Sequence, residues 1–297
     1  EHNAAVNYDK LRATVDTAVR ALDEILDYGY DMQPLDENRK CIDDWRSIGL
    51  GIMGLADMFV ALGIRYGSLE SREVASDIME AILKQALITS CDLARTKGAF
   101  GKFDWEKTSK SQLIQMFPEL QADIQQYGLR NGTLLSIAPT GSLSLLAGSF
   151  SGGVEPIYQI SMQRTTHSME KEKKSFRVFA HSVQELLEHD KLPLNTPDAE
   201  IKARYPFIIE SHDIDPRNRI VLQGILQAYV DNAISSTVNL KESATVEEIE
   251  HIYLMAYEQG CKGITVFRDG CKRGSILDVN EKSEIALDSL VPAKRHN

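Results

Sequence analysis

The stretch that most constrains the fold runs from Thr133 to Pro156 and reads TLLSIAPTGSLSLLAGSFSGGVEP. It opens with an apolar run, residues 134–138, that is short enough to be one buried β-strand, and Pro139 ends that run. Small polar residues follow at 140–142 and lead into an apolar segment that is typical of a helix start. The sequence therefore predicts a buried strand that turns directly into a helix.

This turn has two interpretations. The first N–H groups of a helix have no partners within it, and together with the hydroxyls of Thr140, Ser142 and Ser144 they can bind an anion such as phosphate. Gly141 would let the backbone approach a phosphate closely. The alternative is an ordinary N-cap, because Thr, Gly and Ser precede many helices that bind nothing. The local sequence leaves both interpretations open.

Composition excludes several classes of protein. With 297 residues, of which 43% are hydrophobic, the chain is long enough to bury a core in one large domain or two small ones. No apolar run reaches the roughly 18 residues of a membrane-spanning helix, and the polar start EHNAAVNYDK does not predict a signal peptide. A net charge of −10 argues against a general nucleic-acid surface. We expect a cytoplasmic protein that binds neither membrane nor nucleic acid.

Cysteine and histidine spacing does not predict a metal site. The cysteines lack CxxC spacing and are typical of cytoplasmic thiols, not of a disulfide scaffold or a zinc site; they are Cys41, Cys91, Cys261 and Cys271. The seven histidines are scattered, with no pair four residues apart. We therefore expect no bound metal.

A second glycine pattern, Gly49, Gly51 and Gly54 in RSIGLGIMGLAD, imitates a dinucleotide-binding fingerprint. That fingerprint needs a strand before its first glycine, but residues 43–46 are charged. The residues after the last glycine have helical spacing. We interpret the glycines as small residues that let a helix pack closely, and regard a dinucleotide-binding enzyme as the weaker alternative.

The remaining pattern alternates helices and strands. Helices are predicted at residues 8–26, 68–97, 176–187, 219–230 and 245–260, and further strands at 157–162, 235–240 and 262–268. Polar links are predicted at 31–44 and 190–216, a charged exposed segment at 167–174, and a polar tail after residue 270. Helical crossovers of this length favour a mixed or parallel sheet with helices outside it. Four strands make a small sheet with exposed edges, so the chain is expected to be part of a larger structure.

Four stretches together resemble one known family. They are RSIGLGIMGLADMFVALGIRYGS, TLLSIAPTGSLSLLAG with GGVEPIY, DNAISSTVNLKESATVEEIE, and AYEQGCKGITVFRDG. In this order they are similar to the C-terminal half of the ribonucleotide reductase catalytic subunit, most like its adenosylcobalamin-dependent (class II) branch. The resemblance implies that residues 1–274 belong to the barrel domain and that residues 275–297 form a tail.

The resemblance implies an α/β fold, a ten-stranded barrel of two half-sheets to which this chain contributes about four strands with outer helices. It implies reduction of a ribonucleotide di- or triphosphate by thiyl-radical chemistry, with adenosylcobalamin as the cofactor of the whole enzyme, and a possible homo-oligomer. The family's substrate phosphates lie at the loop that matches Ala138, Pro139, Thr140, Gly141, Ser142 and Ser144.

Three more residues are candidates for the mouth of the active site: Glu155, Asn239 and Arg268. Glu155 lies in the Gly-Val-Glu-Pro turn that the family places near the site, whereas Asn239 and Arg268 lie at predicted strand ends. For each, a structural hydrogen bond is the alternative to a substrate contact, because carboxylates in turns commonly satisfy local backbone donors.

The chain also departs from the family. The finger-loop motif N-x-C-x-E, which carries the radical cysteine, is absent from the sequence, and the four cysteines present do not replace it. No catalytic residue is therefore expected in this chain, and the chain alone is expected to be inactive. Either a partner chain brings an N-terminal half with the finger loop, or the chain is a fragment of a longer protein. A non-catalytic nucleotide-binding or interaction protein derived from a reductase is the alternative.

Overall fold

The computed structural model describes residues 4–148, 150–167 and 173–271. Its helices are α1 (Tyr8–Gly29), α2 (Asp36–Trp45), α3 (Leu55–Leu62), α4 (Leu69–Lys97), α5 (Trp105–Thr108), α6 (Gln112–Gln115), α7 (Gln121–Tyr127), α8 (Gly141–Leu146), α9 (His181–His189), α10 (Asp198–Arg204), α11 (Pro216–Gln227) and α12 (Val246–Glu258). Its strands are β1 (Ser161–His167), β2 (Lys173–Phe179), β3 (Thr237–Leu240) and β4 (Thr265–Arg268). The predicted tail falls almost entirely outside the described residues.

A parallel sheet lies at the centre of the fold. β3 and β4 pair in parallel, from Thr237 opposite Thr265 to Leu240 opposite Arg268. Single parallel bridges extend this arrangement: Ile137 pairs with Ile234, and Leu135 pairs with Leu50. The parallel segments therefore lie in the order 48–50, 134–137, 234–240 and 265–268, and the predicted parallel arrangement is confirmed for them.

The glycines at 49 and 51 allow two segments of this sheet to approach closely, and they do not form a helix contact. A Cβ atom added at Gly51 would lie 2.3 Å from the backbone oxygen of Ser136, and one added at Gly49 would lie 3.1 Å from the Ser136 Cβ. Only glycine lets the two backbones approach this closely. The helix-packing interpretation was therefore wrong for these two positions. The absence of a preceding strand is confirmed, because α2 occupies residues 36–45.

The predicted polar link at 31–44 was wrong, because it contains α2, in which Cys41 lies. Only Cys41, Ile42 and Trp45 of its ten residues are apolar, which is too few for a periodicity argument to identify a helix, and none of its residues is buried. The helix ends at Arg46, which adopts the left-handed conformation with φ of 42°. The Arg46 guanidinium lies 2.7 Å from the carboxylate of Asp23, which is fully buried in α1. This ion pair fixes where the chain turns from α2 into the sheet.

The segment after Pro156 also differs from the prediction. A strand was expected at 157–162, but β1 begins only at Ser161 and pairs antiparallel with β2, Ser161 opposite Phe179. The predicted helix at 176–187 was wrong at its start, because β2 continues to Phe179 and α9 begins at His181. Apolar residues at 176, 179 and 183 fit a helical period, and pairing with β1 overrides that period. The charged segment predicted at 167–174 lies mostly outside the described residues.

Helices cover the sheet and bury most of the core. Ser68 caps α4 by accepting a hydrogen bond from the Ser71 N–H, and Gly98 ends the helix, as the sequence predicts. α4 packs against α1 and α11, and its Met79 and Leu83 are among the most buried side chains. A smaller apolar cluster joins α11 and α12 to the last strands; its members are Ile220, Val238, Leu240, Ile252 and Ala256. In the described part of the chain, no helix has the length and apolar character needed to cross a membrane.

Candidate functional site

The strand-to-helix turn predicted from the sequence is confirmed. Residues 134–137 are central in the parallel sheet, Ala138 and Pro139 are exposed at their carboxyl end, and α8 begins at Gly141. The loop of residues 138–144, here called the candidate phosphate loop, therefore lies where ligands bind in many open α/β sheets, outside the carboxyl ends of parallel strands.

Thr140 does not act as an ordinary side-chain cap. Its backbone is left-handed, with φ of 52°, and its side chain makes no capping hydrogen bond to α8. The Thr140 Oγ1 atom instead accepts a hydrogen bond from the Gly153 N–H at 2.8 Å. The first N–H groups of α8 therefore receive no cap from Thr140, and they remain donors for a ligand.

The other loop residues differ in exposure. A Cβ atom added at Gly141 would meet nothing within 4 Å, so the backbone there borders open space. Ser142 is exposed, whereas Ser144 is buried and its hydroxyl donates to the Gly141 carbonyl oxygen at 3.2 Å. The accessible hydroxyls of the loop are thus those of Thr140 and Ser142.

A glycine pair closes the loop from the other side. A Cβ atom added at Gly152 would lie 2.5 Å from the Pro139 carbonyl oxygen, and one added at Gly153 would lie 2.7 Å from the Ala138 carbonyl oxygen. Gly153 also has a positive φ of 47°. The turn of residues 152–155 can therefore contact the candidate phosphate loop only because both positions lack a side chain.

Glu155 links this turn to β3 and α11. Its Oε1 atom accepts a hydrogen bond from the Thr237 N–H at 2.9 Å, and its Oε2 atom accepts one from Arg219 Nη2. The Arg219 side chain is only 3% exposed, and its Nη2 atom also donates to Ser236 Oγ at 3.2 Å. Burial raises the pKa of the neighbouring Tyr66 to about 12. Glu155 therefore makes structural hydrogen bonds, which is one of the two roles that the sequence leaves open for it; the other is a substrate contact.

Asn239 and Arg268 lie near the carboxyl ends of adjacent parallel strands, where the sequence places them. Both side chains contact protein: Asn239 Nδ2 donates to Ser211 Oγ at 2.7 Å, and Arg268 Nε donates to the Ala244 carbonyl oxygen at 3.0 Å. In the described contacts, neither of these two side chains is hydrogen-bonded to the turn of residues 152–155 or to the candidate phosphate loop. Their role at an active-site mouth stays a prediction.

The thiols and possible metal ligands give no second centre in the described residues. Cys91 is buried, and burial raises its pKa; burial also raises the pKa of Cys261 to about 11. Cys41 and Cys271 are exposed. No group of three His, Cys, Asp or Glu residues in the described ranges is arranged to hold a metal ion.

Sequence reasoning missed Arg219, Ser236 and the paired Gly152 and Gly153. A signal for Arg219 was present: it occupies the same face of α11 as the buried Leu222, Gln223 and Leu226. A charged residue at a buried helical position needs a partner of opposite charge. Sequence alone does not say that this partner is Glu155, which lies 64 residues earlier in the chain.

Comparisons with known proteins show which family the chain is similar to. The family model for the ribonucleotide reductase barrel domain matches residues 1–267. A vitamin B12-dependent ribonucleoside-diphosphate reductase of Thermoplasma acidophilum is 32% identical over 97% of this chain, which corresponds to 38% of that relative. The reductase of the same name from Mycobacterium tuberculosis H37Rv is 33% identical over 92% of this chain and 37% of the relative.

A solved structure agrees at the level of the fold. The class Id ribonucleotide reductase alpha subunit of Actinobacillus ureae superposes with a TM-score of 0.67 at 20% identity, covering 86% of this chain and 46% of that chain. The chain thus spans less than two fifths of the two B12-dependent relatives and less than half of this subunit. Because the family model covers nearly all of it, the chain belongs to the ribonucleotide reductase barrel-domain family.

Proposed function

We propose that this chain is part of a ribonucleotide reductase, which reduces ribonucleotides to deoxyribonucleotides, and that it supplies the loop that binds the substrate phosphates. The observation that carries the proposal is the candidate phosphate loop, exposed at the carboxyl end of the central parallel segment with a helix start that Thr140 leaves uncapped. The names of the relatives support a reductase over a non-catalytic nucleotide-binding protein, and those two names specify ribonucleoside diphosphates.

In this proposal the loop binds phosphate through neutral donors. The N–H groups of residues 141–143 and the hydroxyls of Thr140 and Ser142 donate to the phosphate oxygens, and Gly141 leaves room for close approach. Glu155 and Arg219 fix the turn of residues 152–155, against which the loop packs. The role of this segment is therefore to bind the phosphates of the nucleotide and so to orient its ribose.

The radical chemistry belongs to residues outside this chain. The thiyl radical takes the ribose 3′-hydrogen in the family, but the motif N-x-C-x-E that carries this cysteine is absent from the 297-residue sequence. We propose that an N-terminal reductase segment supplies the finger loop.

For the whole enzyme we propose adenosylcobalamin as the cofactor that generates the radical, in keeping with the names of the B12-dependent relatives. Leu143, Leu145 and Leu146 of α8, beside the candidate phosphate loop, are 61%, 67% and 86% exposed, so this surface suits contact with another segment of the whole enzyme. We assign no residue of this chain to the cofactor.

A matched pair of glycine variants tests the phosphate site. An added Cβ meets no protein atom within 4 Å at either Gly141 or Gly263, and neither residue has a positive φ. Both Gly141→Ala and Gly263→Ala should therefore fold normally. If the loop binds phosphate, Gly141→Ala should weaken binding of cytidine diphosphate by about 10-fold, or roughly 1.4 kcal/mol, because the methyl group occupies the approach to the backbone.

The measurement is isothermal titration of the 297-residue chain with cytidine diphosphate, with cytidine as the ligand that lacks phosphate. Gly263→Ala should bind the diphosphate as the unsubstituted chain does, and cytidine should bind much more weakly. Equal affinity of Gly141→Ala and the unsubstituted chain for the diphosphate would argue against a phosphate site in this loop.

A further inference from the structure

A cavity of about 430 Å³ lies at the end of the central segment opposite to the candidate phosphate loop. Gly132 and Leu134, at the amino end of that segment, line the cavity, and so does Asp231, which precedes Ile234. The loop begins four residues after Leu134, which at about 3.3 Å per residue is roughly 13 Å away. The cavity is therefore separate from the proposed phosphate site.

The walls of the cavity are largely apolar and aromatic. Leu83 and Leu87 of α4 form one side, and Trp45 and Phe100 form another. The Trp45 and Phe100 rings are stacked, with centroids 6.0 Å apart and planes inclined by 26°. The volume falls within the roughly 300–1,000 Å³ that is usual for small-molecule pockets. The size and the rings favour a flat organic ligand over an ion.

Asp231 introduces a carboxylate into these apolar surroundings. Its Oδ2 atom accepts hydrogen bonds from the Leu134 N–H at 2.9 Å and the Leu135 N–H at 2.8 Å. Both bonds end on the same oxygen, and Lys262 Nζ contacts the main-chain oxygen of Asp231, not its carboxylate. Burial raises the pKa of Asp231, which reflects how far the group is removed from water. The Leu134 and Leu135 N–H groups do not use the second oxygen, Oδ1, which we take as the acceptor for a ligand.

Lys102, Thr108 and Ser111 also line the cavity, and two further polar lining residues have side-chain partners in the protein. Asn131 accepts from Ser90 Oγ at 3.0 Å and donates to the Arg46 carbonyl oxygen at 3.1 Å. Asp104 pairs with Lys107 at 3.2 Å. Asp231 is therefore the lining carboxylate best placed to determine which ligand fits.

We propose that this cavity binds a planar aromatic or heteroaromatic ring that bears an amidine or amino group, with an N–H of that group donating to Asp231 Oδ1. The ring would pack against Trp45 and Phe100. A hydrocarbon would cover the half-buried carboxylate without a hydrogen bond, which costs free energy, and an anion would be repelled by that carboxylate. This site lies outside the proposed reductase function and does not depend on it.

Benzamidine, benzoate and benzyl alcohol test the proposal, because they share a ring and differ in the charge and donors of one substituent. Each is titrated into the 297-residue chain carrying Trp105→Phe, so that fluorescence reports Trp45 alone, the other of the two tryptophans. Benzamidine should bind with a Kd of about 1 mM or lower, and benzoate and benzyl alcohol at least about 10-fold more weakly.

Two variants locate the interaction. Asp231→Asn removes the charge but keeps an oxygen that can accept from the Leu134 and Leu135 N–H groups, and it should weaken benzamidine binding by about 10-fold. Asp104→Asn, at the other lining carboxylate, should change nothing. If circular dichroism shows that Asp231→Asn does not fold, the affinities of benzamidine and benzoate for the chain that carries only Trp105→Phe decide whether the cavity prefers the amidine.

Three results would overturn the proposal: benzoate or benzyl alcohol binding as tightly as benzamidine, a folded Asp231→Asn that binds benzamidine unchanged, or no benzamidine binding up to about 10 mM. Gly141→Ala should leave benzamidine binding intact. The phosphate-loop proposal and the cavity proposal are therefore tested with different ligands and different variants, so that either one can be contradicted without the other.

Discussion

At the scale of single residues, the pair of Glu155 and Arg219 is asymmetric. Arg219 is 3% exposed and Glu155 is 28% exposed, so the cation depends on its partner more than the anion does. Within the described residues, Arg219 Nε and Nη1 are buried without a hydrogen-bond partner, which adds to that dependence. Thr237 N–H gives Glu155 a second partner that remains when the arginine is absent.

This asymmetry predicts unequal effects on stability. Glu155→Ala leaves the buried guanidinium with Ser236 Oγ as its remaining hydrogen-bond partner and should lower the free energy of unfolding by about 3–5 kcal/mol. Arg219→Met leaves a partly exposed carboxylate that is still bonded to Thr237 N–H, and it should cost about 1–2 kcal/mol. Urea denaturation of both variants measures the difference.

The exposed pair of Arg217 and Asp215 is the control, with Arg217 69% exposed. Arg217→Met should change the free energy of unfolding by at most about 1 kcal/mol. An equal or smaller cost for Glu155→Ala than for Arg219→Met would show that the arginine does not depend on the carboxylate.

At the scale of elements, the sheet depends on close approach between residues 48–51 and 134–137. The Leu50 N–H donates to the Leu134 carbonyl oxygen at 2.8 Å, and the Ser136 N–H donates to the Leu50 carbonyl oxygen at 3.0 Å. These bonds bring Gly51 so close to Ser136 that no side chain fits between the backbones. The candidate phosphate loop extends directly from the segment that this pairing holds.

Gly51→Ala should therefore separate the two segments. We expect a loss of about 2–3 kcal/mol in the free energy of unfolding, because the methyl group would overlap a backbone oxygen that cannot rotate away. Gly263→Ala, where an added Cβ meets nothing within 4 Å, should change the stability by about 0.5 kcal/mol in either direction.

Thermal and urea unfolding of both variants check this expectation. Hydrogen exchange adds a local measurement, because the Ser136 N–H should lose protection in Gly51→Ala. Retained protection and full stability in Gly51→Ala would mean that the close approach is not required.

At the scale of the whole molecule, the chain carries a proposed substrate loop without the family's radical motif. N-x-C-x-E is absent from its 297 residues, and the reductases it resembles are more than twice as long. The exposed leucines of α8 beside the loop are consistent with a surface that another segment covers.

We predict that the purified chain, given adenosylcobalamin, a ribonucleoside diphosphate and a dithiol, forms no deoxyribonucleotide. Chromatography of the products measures this directly. Adding a reductase segment that contains N-x-C-x-E should restore turnover if the two parts associate, and size-exclusion chromatography of the mixture tests that association. Product formation by the chain alone would contradict the assignment of the radical cysteine to another segment.

The sequence by itself determined the elements whose signals are local. The caps of α4 and α12 and the apolar runs of residues 134–138 and 235–240 follow from neighbouring residues, and the structure confirms them. The turn from Pro139 into α8 was also predictable, because proline ends a strand and small polar residues start a helix. Local residue order alone therefore predicts the position of the candidate phosphate loop.

Tertiary structure alone decided the features that depend on distant partners. The helix α2 has too few apolar residues for the sequence to identify it, and β2 became a strand because β1 pairs with it. Gly51 is required by a backbone 85 residues later in the chain, and Glu155 meets Arg219 across 64 residues. Such contacts form between segments that only folding brings together, so the residue pattern within any one segment does not encode them.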